Sequence, residues 1–252
     1  IAQSQAASGK PLANYWMHNG FVKINAEKMS KSLGNIFPVR EIIRQYHPEV
    51  LRLFMLQSHY RSPVDYSDAS LAEARTALIR GYTALQQLKE TLAKPVSDAP
   101  AKLEKTHQTY LEKLREFAEK FDAALDDDFN TAQALGFAFE AARLINQITT
   151  AEKKMPAPVK RDILESAKEI FTHFGRILGV FVHDPDVFFQ TDRDIEVAKR
   201  GLDSVKIQML IAERQKARAD KDWQRADDIR RELAFQNVVL KDSAAGTAWS
   251  IE

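Results

Sequence analysis

Between residues 71 and 178 apolar side chains recur at intervals of three and four, the period of helices with one buried face. Leu71, Ala74, Leu78, Tyr82, Leu85, Leu88 and Leu92 mark the first such face. The stretch from Lys94 to Pro100, with Pro95 and Ser97 inside it, has the composition of a linker. A second helix follows on Leu103, Tyr110, Leu114, Phe117, Phe121 and Leu125. Asn130 and Gln133 stand at capping-box spacing and start a third, which turns Leu135, Phe139, Ala142 and Ile145 inward. Beyond Pro156 and Pro158 a fourth buries Ile163, Ala167, Ile170, Phe174 and Leu178. Four amphipathic helices with short connections predict a bundle.

The pattern changes on both sides of the bundle. Tyr15 to Met17 and Phe21 to Ile24 each read as a strand, with His18-Asn19-Gly20 as the turn between them. Asn25-Ala26-Glu27 then turns the chain into a loop at Lys28. Pro38 can occupy the first position of a helix with Ile42, Ile43 and Tyr46 on one face. Pro48 starts another, striped by Val50, Leu51, Phe54 and Leu56. Asp65 to Ser70 reads as a turn with several possible N-caps. Residues 180–203, with Asp184-Pro185-Asp186 and mixed charges, predict a mobile connector. The last module holds helices at Val205 to Ala219 and Trp223 to Ala234, a turn at Gln236-Asn237 and a strand at Val238 to Leu240. Gly246 precedes a final strand that ends at Ile251.

Composition narrows the chemistry. Lysine and arginine number 36 against 35 acidic residues, so the net charge of +1 does not advertise a polyanion partner, and any such partner needs local patches. Zero cysteines fit a reducing compartment and exclude thiolate metal sites; the six histidines are scattered without ligand spacing. Asp126-Asp127-Asp128 lacks the spacing of a calcium loop, and a helix N-terminal dipole is the better account of it. No apolar run is long enough to span a bilayer, and no charged, apolar leader opens the chain.

The strongest chemical signal is Lys28-Met29-Ser30-Lys31-Ser32, followed by Leu33-Gly34-Asn35. Two lysines, serine hydroxyls and a glycine make a compact cationic loop suited to a triphosphate, where fixed donors stabilise charge that grows in a transition state. The pentapeptide resembles the nucleotide-binding loop of class I aminoacyl-tRNA synthetases. Its flanks, Ile1-Ala2-Gln3-Ser4, Gly9-Lys10-Pro11 and Tyr15-Trp16-Met17-His18-Asn19-Gly20, resemble cysteinyl-tRNA synthetase. So do Asp126 to Thr131, Lys221-Asp222-Trp223 and Ala226-Asp227, so the resemblance covers nearly the whole chain.

The resemblance implies a mainly α protein. Residues 1–66 would be the end of an α/β catalytic domain with the KMSKS loop and stem-contact fold. A helical bundle at 67–180, a connector at 181–203 and a small α+β anticodon-binding domain at 204–252 would follow. It implies an ATP-dependent ligase, working with Mg, that activates cysteine and transfers it to tRNA(Cys). Lys31 would contact ATP, with Lys28 and Ser30 in support. Arg218, Trp223, Asp227, Arg230 and Asp242 would read RNA by stacking, arginine contacts and carboxylate acceptors. Trp223 as core and Asp227–Arg230 as a surface pair is the reading without the family. Arg52 and Arg61 could reach RNA backbone, though helical arginines are more often solvated or paired. The family's catalytic zinc would be held by ligands outside this sequence, as would the HIGH-type motif; the chain itself offers no metal site. The intact enzyme is expected to be cytoplasmic and monomeric. The chain by itself reads as its C-terminal half, and a non-catalytic tRNA-binding fragment is the alternative description. A relative that joins cysteine to an amino sugar is a third reading, opposed by residues 204–252. So small a module has a marginal core and is expected to be only partly ordered without RNA.

Overall fold

The computed structural model describes residues 1–24, 27–28, 38–96, 105–150, 155–243 and 246–251. Helix α1 (Ala2–Ser8) opens the chain, ends on Gly9 and buries nothing, which is why no apolar period announces it. Of the two strands expected next, one forms. Strand β1 (Val22–Ile24) pairs antiparallel with β2 (Glu27–Lys28) and parallel with β3 (Val64–Tyr66). Tyr15 to Met17 stay irregular, with no partner strand among the described residues and Tyr15 89% exposed. Gly20 is therefore not in a hairpin turn. Its amide donates to the Tyr60 carbonyl at 2.7 Å, and a Cβ there would lie 2.2 Å from the Ser62 carbonyl oxygen. Only glycine lets the two backbones approach this closely.

Helix α2 (Val39–Gln45) begins one residue after Pro38, which sits at the N-cap position without a side-chain cap; the helix buries Ile42, while Ile43 stays exposed. Helix α3 (Pro48–Leu56) starts where His47 Nδ1 accepts the Glu49 amide at 3.2 Å. Asp65 and Tyr66 belong to β3 rather than to a turn; the cap is Ser67, which forms a reciprocal box with Ser70 at the start of α4 (Asp68–Leu92). Helices α5 (Lys105–Asp126), α6 (Thr131–Thr150) and α7 (Ala157–Leu178) complete the bundle. Leu78, Tyr82, Leu114, Phe121, Ile145, Ile163 and Phe174 form its dry centre. The Gln133 amide donates to Asn130 Oδ1 at 3.1 Å, the cap expected there. Leu103 and residues 97–100 of the expected linker lie outside the described residues.

Two charged segments are better partnered than their composition suggests. Asp128, with φ of 54°, accepts from Tyr60 Oη at 2.7 Å and from Arg61 Nε and Nη2 at 2.7 and 2.9 Å. A helix dipole is at most part of its account, and Arg61 is committed to a carboxylate 67 residues away. Residues 180–203, expected as a connector, contain helix α8 (Pro185–Arg200). Its charges pair with α4: Arg75 donates to Asp192 at 3.0 and 2.7 Å, and Lys89 meets Asp184 and Asp186, both at 2.7 Å. Phe188 stacks on Tyr82 with centroids 3.8 Å apart.

A buried carboxylate ties these parts together. Glu49 accepts from Tyr82 Oη at 3.0 and 2.9 Å and from the Phe181 amide at 2.8 Å. His183 donates its own amide to Tyr82 Oη at 3.2 Å.

The last module is built as expected, with longer strands. Helices α9 (Ser204–Ala219) and α10 (Trp223–Phe235) pack on a hairpin of β4 (Val238–Ser243) and β5 (Gly246–Ile251). Asn237 takes the left-handed turn at φ of 57°. Ile207, Leu210, Ile211, Ile229, Leu233 and Val238 make a separate small core. Ten helices and five short strands among the described residues make the fold mainly α.

Candidate nucleic-acid interface

The join between α9 and α10 is a tight turn. Lys221 adopts φ of 63°, and Asp222 caps α10 by accepting the Arg225 amide at 3.0 Å. Trp223 is thereby the first helical residue and stands 60% exposed, while Arg218 occupies the last turn of α9. The hairpin brings Asp242 under both, opposite Thr247.

Asp242 gathers the local charges. Arg214, buried to 7% exposure, donates to its two oxygens at 3.0 and 2.9 Å. Arg218 Nη1 reaches Oδ2 at 2.7 Å, and the Thr247 hydroxyl donates to Oδ1 at 2.7 Å. The Arg214 hydrogen bonds and then that of Thr247 hold the Asp242 carboxyl far below the usual carboxylate range. Asp242 in turn pushes the Arg214 guanidinium up. Four donors nearly fill a carboxylate's acceptor sites, so Asp242 aims two guanidinia more than it offers lone pairs to a base.

Arg218, Trp223, Asp242, Thr247 and Gln215 line one open cleft of about 660 Å³. The structure thus unites three of the five residues expected to contact RNA. Asp227 and Arg230 are exposed one turn apart on α10 and do not line the cleft, although the Asp227 charge acts on Arg214. Arg214, Gln215 and Thr247 were not foreseen. Arg214 and Arg218 stand four apart on one helix face, which was the available signal.

The lysine-serine loop leaves β2 at Lys28, whose backbone lies opposite Lys23. Ser30 and Lys31 lie outside the described residues. Among the described residues no group of three or more His, Asp or Glu is placed to hold a metal. His47 instead serves as the α3 cap, and His173 Nε2 lies 2.8 Å from Asp122.

Three family models match in succession. The tRNA synthetases class I (C) catalytic domain matches residues 1–76, the DALR domain 120–182, and the cysteinyl-tRNA ligase anticodon binding domain 204–249. A cysteine--tRNA ligase of Geobacter metallireducens is 45% identical over 252 residues, which is all of this chain and 51% of that protein. The one from Methylococcus capsulatus is 44% identical, again over the whole chain and 49% of its own length. The chain spans about half the length of the curated relatives it matches. A solved LeuRS–tRNA ternary complex from Agrobacterium radiobacter K84 overlaps at TM-score 0.49 and 16% identity, over 66% of this chain and 23% of that one.

Proposed function

We infer that this chain, which belongs to the cysteinyl-tRNA synthetase family, takes part in ATP-dependent activation of cysteine and its transfer to tRNA(Cys). Its own share is the lysine-serine loop and the surface that recognises the anticodon. The observation that carries the second part is the convergence of Trp223, Arg218 and Asp242 on one cleft inside the segment matched by the anticodon-binding model.

The chemistry of that cleft suits single-stranded RNA. Trp223 offers an exposed face on which a base can stack, and every base has such a face. Arg218, held in plane by Asp242, offers charged donors to a phosphate or a base edge. Asp227 and Arg230, one and two turns further along the Trp223 side of α10, extend the contact to further nucleotides. Lys31 would neutralise the charge that develops on pyrophosphate as it leaves ATP, with Lys28 and Ser30 in support; Mg bound to the phosphates would supply further charge stabilisation there. Residues 1–66 end the catalytic domain, 67–180 form the bundle and 204–252 the anticodon domain. Residues 181–203 join the last two as a strut made by α8. No helix among the described residues is long and apolar enough to cross a membrane; the intact enzyme works in the cytoplasm as a monomer.

The test is a titration of the chain against tRNA bearing a cysteine anticodon and against an anticodon-swapped transcript. The wild type prefers the first. Removing one stacking aromatic costs roughly 1–3 kcal/mol, so Trp223→Ala weakens binding about tenfold, with circular dichroism to confirm the fold. Equal affinity for both transcripts, untouched by Trp223→Ala, would overturn the assignment.

A further inference from the structure

Next to this cleft a second one, of about 330 Å³, opens between α8, α9 and β5. Gln215 and Thr247 line both, so a strand lying in the first can continue into the second. Its described lining residues include one cation, Arg193, the amides of Gln208 and Gln215, the indole of Trp249 and no carboxylate.

Arg193 differs from the other guanidinia of this region. Arg214, Arg218 and Arg225 each make a direct hydrogen bond to a carboxylate. Arg193 makes no hydrogen bond to a carboxylate and instead lies over the Trp249 ring at 4.7 Å; its Nε, like that of Arg214, is buried without a hydrogen-bond partner among the described residues. The Asp194 carboxylate is 3.9 Å away, beyond hydrogen-bond reach. The Arg193 side chain is 25% exposed, so its outer nitrogens are the donors that a ligand in the cleft can reach, and the indole beneath steadies the guanidinium. Trp249 is half-buried and also packs against the small core of the module.

We propose that this cleft binds an RNA phosphate adjacent to the nucleotides seated against Trp223, with Arg193 as the anchor and Gln208 and Gln215 as neutral donors beside it. This rests on the anticodon reading above and deepens it. Phosphate is the favoured group because the lining supplies a guanidinium and two side-chain amides as donors and contains no carboxylate. Arg193 belongs to α8, outside the segment 204–249, so the same contact draws the module onto that strut.

The test uses the full chain and an anticodon stem-loop in which single phosphates flanking the triplet are replaced by neutral methylphosphonates. Arg193→Gln is expected to weaken binding about tenfold for cognate and swapped anticodons alike. It also lowers the slope of log affinity against log salt by about one. One neutral linkage weakens the wild type to a similar extent and adds nothing in Arg193→Gln. Gln208→Glu, which leaves the Arg193–Trp249 stack in place, also weakens binding and keeps the test open if Arg193→Gln misfolds. Additive losses at every linkage in a folded Arg193→Gln would show that Arg193 only docks the module, and would overturn the proposal. So would a silent Gln208→Glu. Failure of the underlying reading looks different: a wild type that does not distinguish the two anticodons removes both.

Discussion

His47 shows how burial sets the behaviour of one side chain. Burial first, and then the neighbouring His183, push its pKa down from the usual 6.5 to about 4, against the opposing pull of Asp192. Its Nδ1 must stay unprotonated to accept the Glu49 amide, and Phe188 packs on the ring at 4.9 Å. The unfolded chain takes up a proton near pH 6.5 while the folded chain refuses it until about 4. The resulting penalty is absent above pH 6.5 and grows as pH falls between those values. At pH 5 it is about 2 kcal/mol. His47→Asn keeps a cap acceptor without the titration, so urea unfolding at pH 7 and pH 5 should show the variant losing about 2 kcal/mol less than the wild type. Equal losses would mean that His47 is protonated in the folded state.

At the scale of elements, α4 is fixed by one close approach. Gly81 faces the Phe181 ring, and a Cβ there would lie 2.3 Å from its nearest carbon. The ring cannot swing away freely, because Tyr82, Phe139 and Phe171 surround it at 5.6, 6.0 and 5.5 Å. Gly81→Ala gains about 1 kcal/mol of helix propensity but incurs about 1–3 kcal/mol of overpacking. A lowered melting temperature is the expected outcome, and a raised one would show that the ring has room. That contact was illegible in the sequence, since Gly81 and Phe181 meet only after the chain returns from α7. The four bundle helices were legible because each writes its buried face at a fixed period. Helix α8 was not: Asp184, Asp186 and Asp192 look like solvated charges until Lys89 and Arg75 of α4 are placed opposite them. The candidate site divides the same way. The break between α9 and α10 was readable locally, but the exposure of Trp223 was not, and the Arg214–Asp242 pair joins residues 28 apart across the whole of α10.

For the whole molecule, Glu49 is the point where α3, α4 and the segment before α8 meet. Glu49→Gln keeps the shape but turns an amide donor toward the Phe181 amide or the Tyr82 hydroxyl, and one buried donor loses its acceptor. The expected cost is about 1–3 kcal/mol. In a chain of this size each kcal/mol lowers the melting temperature by about 2–4 °C. No change in a thermal melt would mean that the amide rotates to satisfy every partner. The same carboxylate also sets an order of events while the protein is being made. Phe181 follows Glu49 by 132 residues, and ribosomes add about 5–20 residues per second, so the two are separated by roughly 7–26 s of synthesis. Throughout that interval Glu49 has to remain in water or find a temporary donor. Helix α3 can therefore form early, but it cannot settle against α4 for good until the segment around Phe181 has left the ribosome.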